Sequence, residues 1–157
     1  MVVRDVEATV RHYWEDLGIG PWRFYTLDPS NTPGMTLRGK PVRHAFRAAI
    51  AMVGEIELEL IEPLEGDSLY AEHLATHGEG LHHIALDVED FSRAVERLSA
   101  QDFPEVQGGE TFDVAQYKYF DATRRLGCII EIGSSVREGT AFPAPERVYP
   151  PHHGSAT

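Results

Sequence analysis

The sequence of 157 residues is poor in cysteine, in basic side chains and in long apolar runs, and each shortage closes off a class of function. Cys128 is its single cysteine, so no internal disulfide and no thiolate zinc cage is available, which fits a reducing compartment. Fourteen Lys and Arg against 25 Asp and Glu give a formal charge of -11, the wrong sign for a nucleic-acid backbone or an anionic membrane surface. The longest uninterrupted apolar run, AAIAMV (Ala48 to Val53), falls far short of the roughly 20 residues that a membrane span needs. The opening MVVRDVEATV has neither the basic segment nor the apolar stretch of a signal peptide, and the expected location is cytoplasmic. What is present is ordinary: 42% hydrophobic and 25% charged residues, in a length that suits one domain.

Hydrophobic periodicity divides the chain into two similar halves. Val6, Val10, Trp14 and Leu17 recur at helical spacing after Asp5, and Gly18 ends the pattern. Trp22 to Leu27 reads as a strand, DPSNTPG as a loop, and Val42 to Val53 and Glu55 to Ile61 as two strands around Gly54. Leu69 to His77 is expected to be a short connecting helix. The order then begins again, with a strand over His83 to Val88 and a helical stripe of Phe91, Ala94, Val95 and Leu98. Strands at Val114 to Asp121 and Gly127 to Ile132 complete it. VRDVEATV (Val3 to Val10) and VEDFSRAV (Val88 to Val95) align at a constant offset of 85. The expected fold is therefore α+β, a single domain over 1–133, with module 1 over about 1–64, a linker helix over about 67–77 and module 2 over about 81–133. Residues 134–157, rich in Pro, Ser and Gly and ending near His152 and His153, are expected to form an extended or mobile tail.

The period of two along a strand assigns faces to the ionisable residues. In IELELI, Glu55, Glu57 and Glu59 share a face opposite Ile56, Leu58 and Leu60; taken alone, this reads as a solvent-facing surface. In HHIALDV, Ile84, Leu86 and Val88 form the face expected to pack under the following helix, which leaves His83 on the other side; His82 reads as structural. In GCIIEI, Glu131 stands alone opposite Cys128, Ile130 and Ile132, and a carboxylate in such surroundings is costly unless paired, protonated or bound to metal. Glu59, His83 and Glu131 all lie on the faces away from the helices. One imidazole and two carboxylates suit Co, Zn, Ni, Mn or Fe(II).

These segments, VRDVEATVRHYWEDLG, ELIEPLEGDS, GLHHIALDVED and GCIIEI, resemble the vicinal oxygen chelate superfamily over about residues 1 to 133. That superfamily includes glyoxalase I, methylmalonyl-CoA epimerase, ring-cleaving dioxygenases and bleomycin-resistance proteins. The resemblance implies paired βαβββ modules whose strands form an incompletely closed, cleft-like mixed barrel with helices outside. It also implies a homodimer acting on a small-molecule substrate, and a divalent ion (Co, Zn, Ni, Mn or Mg) on Glu59, His83 and Glu131. A first histidine ligand, the counterpart of His83 seven positions before Asp5, is expected upstream of Met1 in a longer natural product; otherwise His12, His44 or water completes the set. EPLEGDSLYAEHLATHGEGLHHIALDV is most similar to methylmalonyl-CoA epimerase, which implies proton abstraction from an acyl-CoA-like carbonyl compound with Glu131 as ligand and proton shuttle. Where those epimerases carry a glutamate base, this chain has Val42, Arg43 and His44, so His44 is the expected second acid or base and Arg43 the expected anchor for an anionic substrate group. The alternatives are a glyoxalase I-like lyase, a metal-free drug-binding protein and, less well matched, an extradiol dioxygenase.

Overall fold

The computed structural model describes residues 1–151, so His152 and His153 lie outside the described residues. It contains helices α1 (Val6–Leu17), α2 (Leu69–Thr76), α3 (Phe91–Ser99) and α4 (Thr123–Leu126). The strands are β1 (Trp22–Leu27), β2 (Thr36–Leu37), β3 (Lys40–Pro41), β4 (Ala45–Val53), β5 (Ile56–Glu65), β6 (His83–Val88), β7 (Glu105–Thr111), β8 (Ala115–Asp121), β9 (Ile129–Ser134) and β10 (Arg147–Tyr149). Helices α1 and α3 begin on the same device. The Asp5 carboxylate accepts the amide of Ala8 at 2.8 Å, and that of Asp90 accepts the amide of Arg93 at 3.0 Å. Each satisfies one of the amides that a helix start leaves without a partner. Both donors and both acceptors stand 85 positions apart, so the faint sequence repeat is a structural one.

The strands form two sheets that do not close into a barrel. One runs β10-β1-β4-β5 and the other β3-β2-β7-β8-β9-β6, with β6 and β9 the one parallel pair of strands among the described residues. Module 2 shows the expected order in full: β6, α3, β7, β8, β9. In module 1, Val2 alone takes the place of an opening strand: it bridges in parallel to Ile61 of β5 and antiparallel to Gly80 just before β6, which ties the two sheets together.

Each module packs its helix on the outer face of its own sheet. Val6 and Val10 of α1 meet Trp22, Phe24 and Leu60, while Phe91, Val95 and Leu98 of α3 meet Phe103, Phe120, Ile130 and Ile132. A third cluster, with Tyr25, Phe46, Ile61, Tyr70, Tyr117 and Tyr119, lies between the inner faces and supports the cleft. Burying side chains of this size contributes roughly 1.5–3 kcal/mol each.

Several expectations need correction. Ile84 and Leu86 do not pack under α3: they are 47% and 49% exposed, because the helix lies over β9 and β6 is an edge strand. The strand expected from Val42 starts at Ala45, where the register against β5 shifts. β7, unmarked by any alternation, sits in the middle of the larger sheet between β2 and β8. The tail is extended but also structured, since Arg147, Val148 and Tyr149 pair with Phe24, Arg23 and Trp22.

Candidate active site

Strand parity delivers three donors to one place. Leu60 of β5 packs under α1, so Glu57, Glu59 and Ile61 face inward; Ile130 and Ile132 of β9 pack under α3, so Glu131 does the same. β6 runs parallel to β9 with Ala85 opposite Glu131, which puts His83 beside that carboxylate. His83 Nε2 stands 3.2 Å from Glu131 Oε2 and 3.7 Å from Glu59 Oε2. The Tyr119 ring packs edge-on against the imidazole, with centroids 4.9 Å apart. Nδ1 of His83 lies 2.9 Å from Nδ1 of buried His82, so its far side is tied down as well.

The electrostatics follow from this packing. Burial is the largest influence on His83 and pulls its pKa down, but the hydrogen bonds and charges of Glu131 and Glu59 together outweigh it and carry the imidazole up to about 9. His82 goes the other way, down to about 3, through burial first and then the positive charges of His83 and His73. The Met1 ammonium also stands close: it donates to the Glu59 carbonyl at 2.6 Å, and its pKa is lowered by burial against the pull of Glu59 and Glu131.

Glu59, His83 and Glu131 are the side chains that would supply donors if a divalent cation bound here. A nitrogen and two carboxylates suit such an ion, and a ligating histidine is commonly oriented through its second nitrogen, as His82 does here for His83. As the side chains stand, no three His, Cys, Asp or Glu among the described residues are grouped so as to hold a cation.

Beside the trio opens a cleft with a cavity of about 160 Å³ that continues into an open mouth. Its walls are Tyr25, Leu27, Phe46 and Ile50 from the smaller sheet and Tyr117, Tyr119 and Phe112 from the larger, with Phe142 of the tail across the mouth. Arg23, Glu57, Glu59, Glu131 and Thr111 add polar groups.

Two sequence expectations are corrected by this geometry. His44 has the parity of Phe46 and Ala48, but it lies beyond the register shift of β4, closed in behind Phe46 and Tyr70, and does not line the cleft. It is 1% exposed, neither ring nitrogen has a partner, and burial lowers its pKa. Arg43 is exposed on the outside, and Gly66 is pressed onto its carbonyl so closely that a Cβ there would come within 2.1 Å. The arginine of the cleft is Arg23, paired with Glu57 at 3.4 Å. Phe112, Phe142 and Arg23 carried no signal in the sequence. Tyr117 and Tyr119 did, through the alternation of YKYF. His12 lies exposed on α1, and the remaining ligand, the histidine expected upstream of Met1, lies outside the described residues.

With fold and site described, the class is clear. The sequence profile of the Glyoxalase/Bleomycin resistance protein/Dioxygenase superfamily matches residues 1–119, and the chain belongs to that superfamily. A search of curated proteins finds no match. Among solved structures, the chain is similar to a hypothetical protein from Bacillus halodurans C-125 (21% identity, TM-score 0.59, covering 89% of this chain and 93% of that one). It is also similar to methylmalonyl-CoA epimerase from Mycobacterium tuberculosis (19%, 0.63, 86% and 83%). A variant methylmalonyl-CoA epimerase from Streptomyces coelicolor in complex with 2-nitronate-propionyl-CoA is comparable (20%, 0.58, 85% and 91%). At these identities the likeness is one of fold.

Proposed function

We propose that this protein is a divalent-metal-dependent epimerase or isomerase that moves a proton at the carbon beside a carbonyl, with Glu59, His83 and Glu131 as protein ligands. The observation that carries this reading is the convergence of His83 Nε2 on two inward-facing carboxylates at 3.2 and 3.7 Å, at the end of a cleft. A bound divalent cation supplies the positive charge that lowers the cost of removing such a proton. Glu131, mostly buried between Tyr119 and His83, accepts the proton at Oε2 and returns it. The aromatic walls exclude water while it does so. An acyl-CoA such as methylmalonyl-CoA is the substrate to try first on the strength of the fold neighbours, and the reading includes a homodimer, which light scattering tests.

The test is deuterium exchange beside the carbonyl, followed by proton NMR in the Co²⁺-loaded protein. Loss of exchange in Glu131→Gln supports the reading, and full exchange overturns it. A second reading, a metal-free binding protein, is favoured by one observation: His83 Nε2 already lies within 3.7 Å of both carboxylates, and as an imidazolium it offsets one of their two charges without a metal. Elemental analysis separates the two, because a stoichiometric divalent ion in the purified protein excludes the second.

A further inference from the structure

We propose that the cleft selects an uncharged aromatic carbonyl compound, seated beneath the Phe112 and Phe142 pair, over an anionic acyl-CoA. This rests on the proton-transfer reading above and narrows its substrate.

Charge is the first observation. Among the described residues lining the cleft, Arg23 is the one cationic side chain, and Glu57 already holds it at 3.4 Å. A divalent ion on Glu59 and Glu131 would be neutralised by those two carboxylates. The residues lining the cleft therefore carry no surplus of positive charge to meet a substrate carboxylate or phosphate, and an anion taken out of water without a partner is disfavoured. Arg43, the cation expected to serve that purpose, faces solvent outside the cleft.

The second observation is the turn between β7 and β8. Phe112 and Asp113 both have positive φ, at 53° and 55°, and the Val114 amide closes the turn on the Thr111 carbonyl at 3.0 Å. Such turns favour Asn and Gly, and a bulky aromatic residue there is a rare and costly choice. Strain of this kind gathers where a site needs a side chain held in one place. The Phe112 ring packs against Tyr25, with centroids 5.8 Å apart, and so overhangs the cleft.

The third is the path of the tail. Glu146 accepts the Thr26 amide at 2.7 Å and its hydroxyl at 3.1 Å, and β10 continues the pairing along β1. This anchor brings Phe142 to the mouth, 6.2 Å from Phe112 and perpendicular to it, while 47% of its surface stays exposed. The two rings touch edge to face, and a flat aryl group seated beneath the pair, toward Tyr25 and Tyr117, would cover their apolar surface on the cleft side.

The probes are 2-hydroxypropiophenone, a neutral aryl α-hydroxyketone, and methylmalonyl-CoA, each given to the full chain loaded with Co²⁺. In the reaction followed, the C–H bond beside the carbonyl breaks, the proton passes to Glu131, and a deuteron from solvent returns to the carbon. The ketone is expected to exchange with the higher kcat/KM. Phe142→Ala and Phe112→Asn are expected to raise its KM roughly tenfold, more than they lower kcat, while Phe112→Asn, by relieving the turn, leaves the Tm within roughly 3 °C of wild type. Better exchange of methylmalonyl-CoA, an unchanged KM in both variants, or no binding of the ketone by calorimetry overturns the proposal. If Glu131→Gln still abolishes exchange in the first two cases, the proton-transfer reading stands without it. If the ketone binds through both phenylalanines but Glu131→Gln exchanges like wild type, the ligand class stands and the reaction fails.

Discussion

The link between the first two antiparallel strands differs sharply between the halves. In module 1 it runs from residue 28 to 44, leaves its own sheet, and forms the β2–β3 hairpin on β7 of the other. In module 2 the same link is the tight turn at Phe112 and Asp113. The helices before these links, by contrast, start on identical aspartate caps, and the strands after them carry Glu59 and Glu131 at matching positions beside His83. The repeated frame brings the two carboxylates to one histidine, and of the two links only the module 2 turn, through Phe112, reaches the cleft.

If the two carboxylates are equivalent only as ligands, they should separate kinetically. Glu131→Gln is expected to lower the exchange rate by roughly 10²–10⁴, the usual weight of a general acid or base, whereas Glu59→Gln should weaken metal binding and recover part of the rate at high Co²⁺. Equal, unrecoverable losses would make the pair symmetrical in role. Next in size are the outer layers. Leu60→Ala beneath α1 and Ile132→Ala beneath α3 should each cost about 2–5 kcal/mol, with Leu60 the larger because Trp22 and Phe24 pack around it. Urea unfolding checks the ranking, and a larger loss at Ile132 would reverse it. The caps should then behave as twins: Asp5→Ala and Asp90→Ala are each expected to cost about 1 kcal/mol, and costs differing by more than about twofold would show that the repeat is one of shape alone.

The smallest effect is a pH slope. Burial holds His44 below its ordinary 6.5, so as pH falls below 6.5 the unfolded chain binds a proton before the folded one does. Its contribution to stability is complete above 6.5 and is lost as pH falls toward the lower folded value. Tyr70, its titratable neighbour, is held neutral by burial, its pKa far above the ordinary 10. His44→Phe should flatten part of the acid-side slope of the urea midpoint, with His82 and His73, also lowered, supplying the remainder. An unchanged slope would detach His44 from the acid response.

Much of the frame was legible because it depends on local rules. A period of two put Glu59, His83 and Glu131 on inward faces, and Asp5 and Asp90 announced their helices. β7 was illegible because EVQGGET has no alternating apolar face and is held by its neighbours β2 and β8. His44 misled because parity places a residue on a face but cannot say where the cleft ends, and here the register shift and the Tyr70 ring end it first. Phe142 was invisible because its position depends on a pairing formed with β1, more than a hundred residues earlier in the chain.

That last pairing has a consequence for the order of assembly. Joining Tyr149 to Trp22 closes a loop of more than a hundred residues, and contacts of such separation are slow to form. The carboxylates and the imidazole are complete once β5, β6 and β9 are in place. Most of the aromatic lining comes with β1, β4 and β8, and Phe142 waits for β10, so the mouth is the last part of the cleft to form.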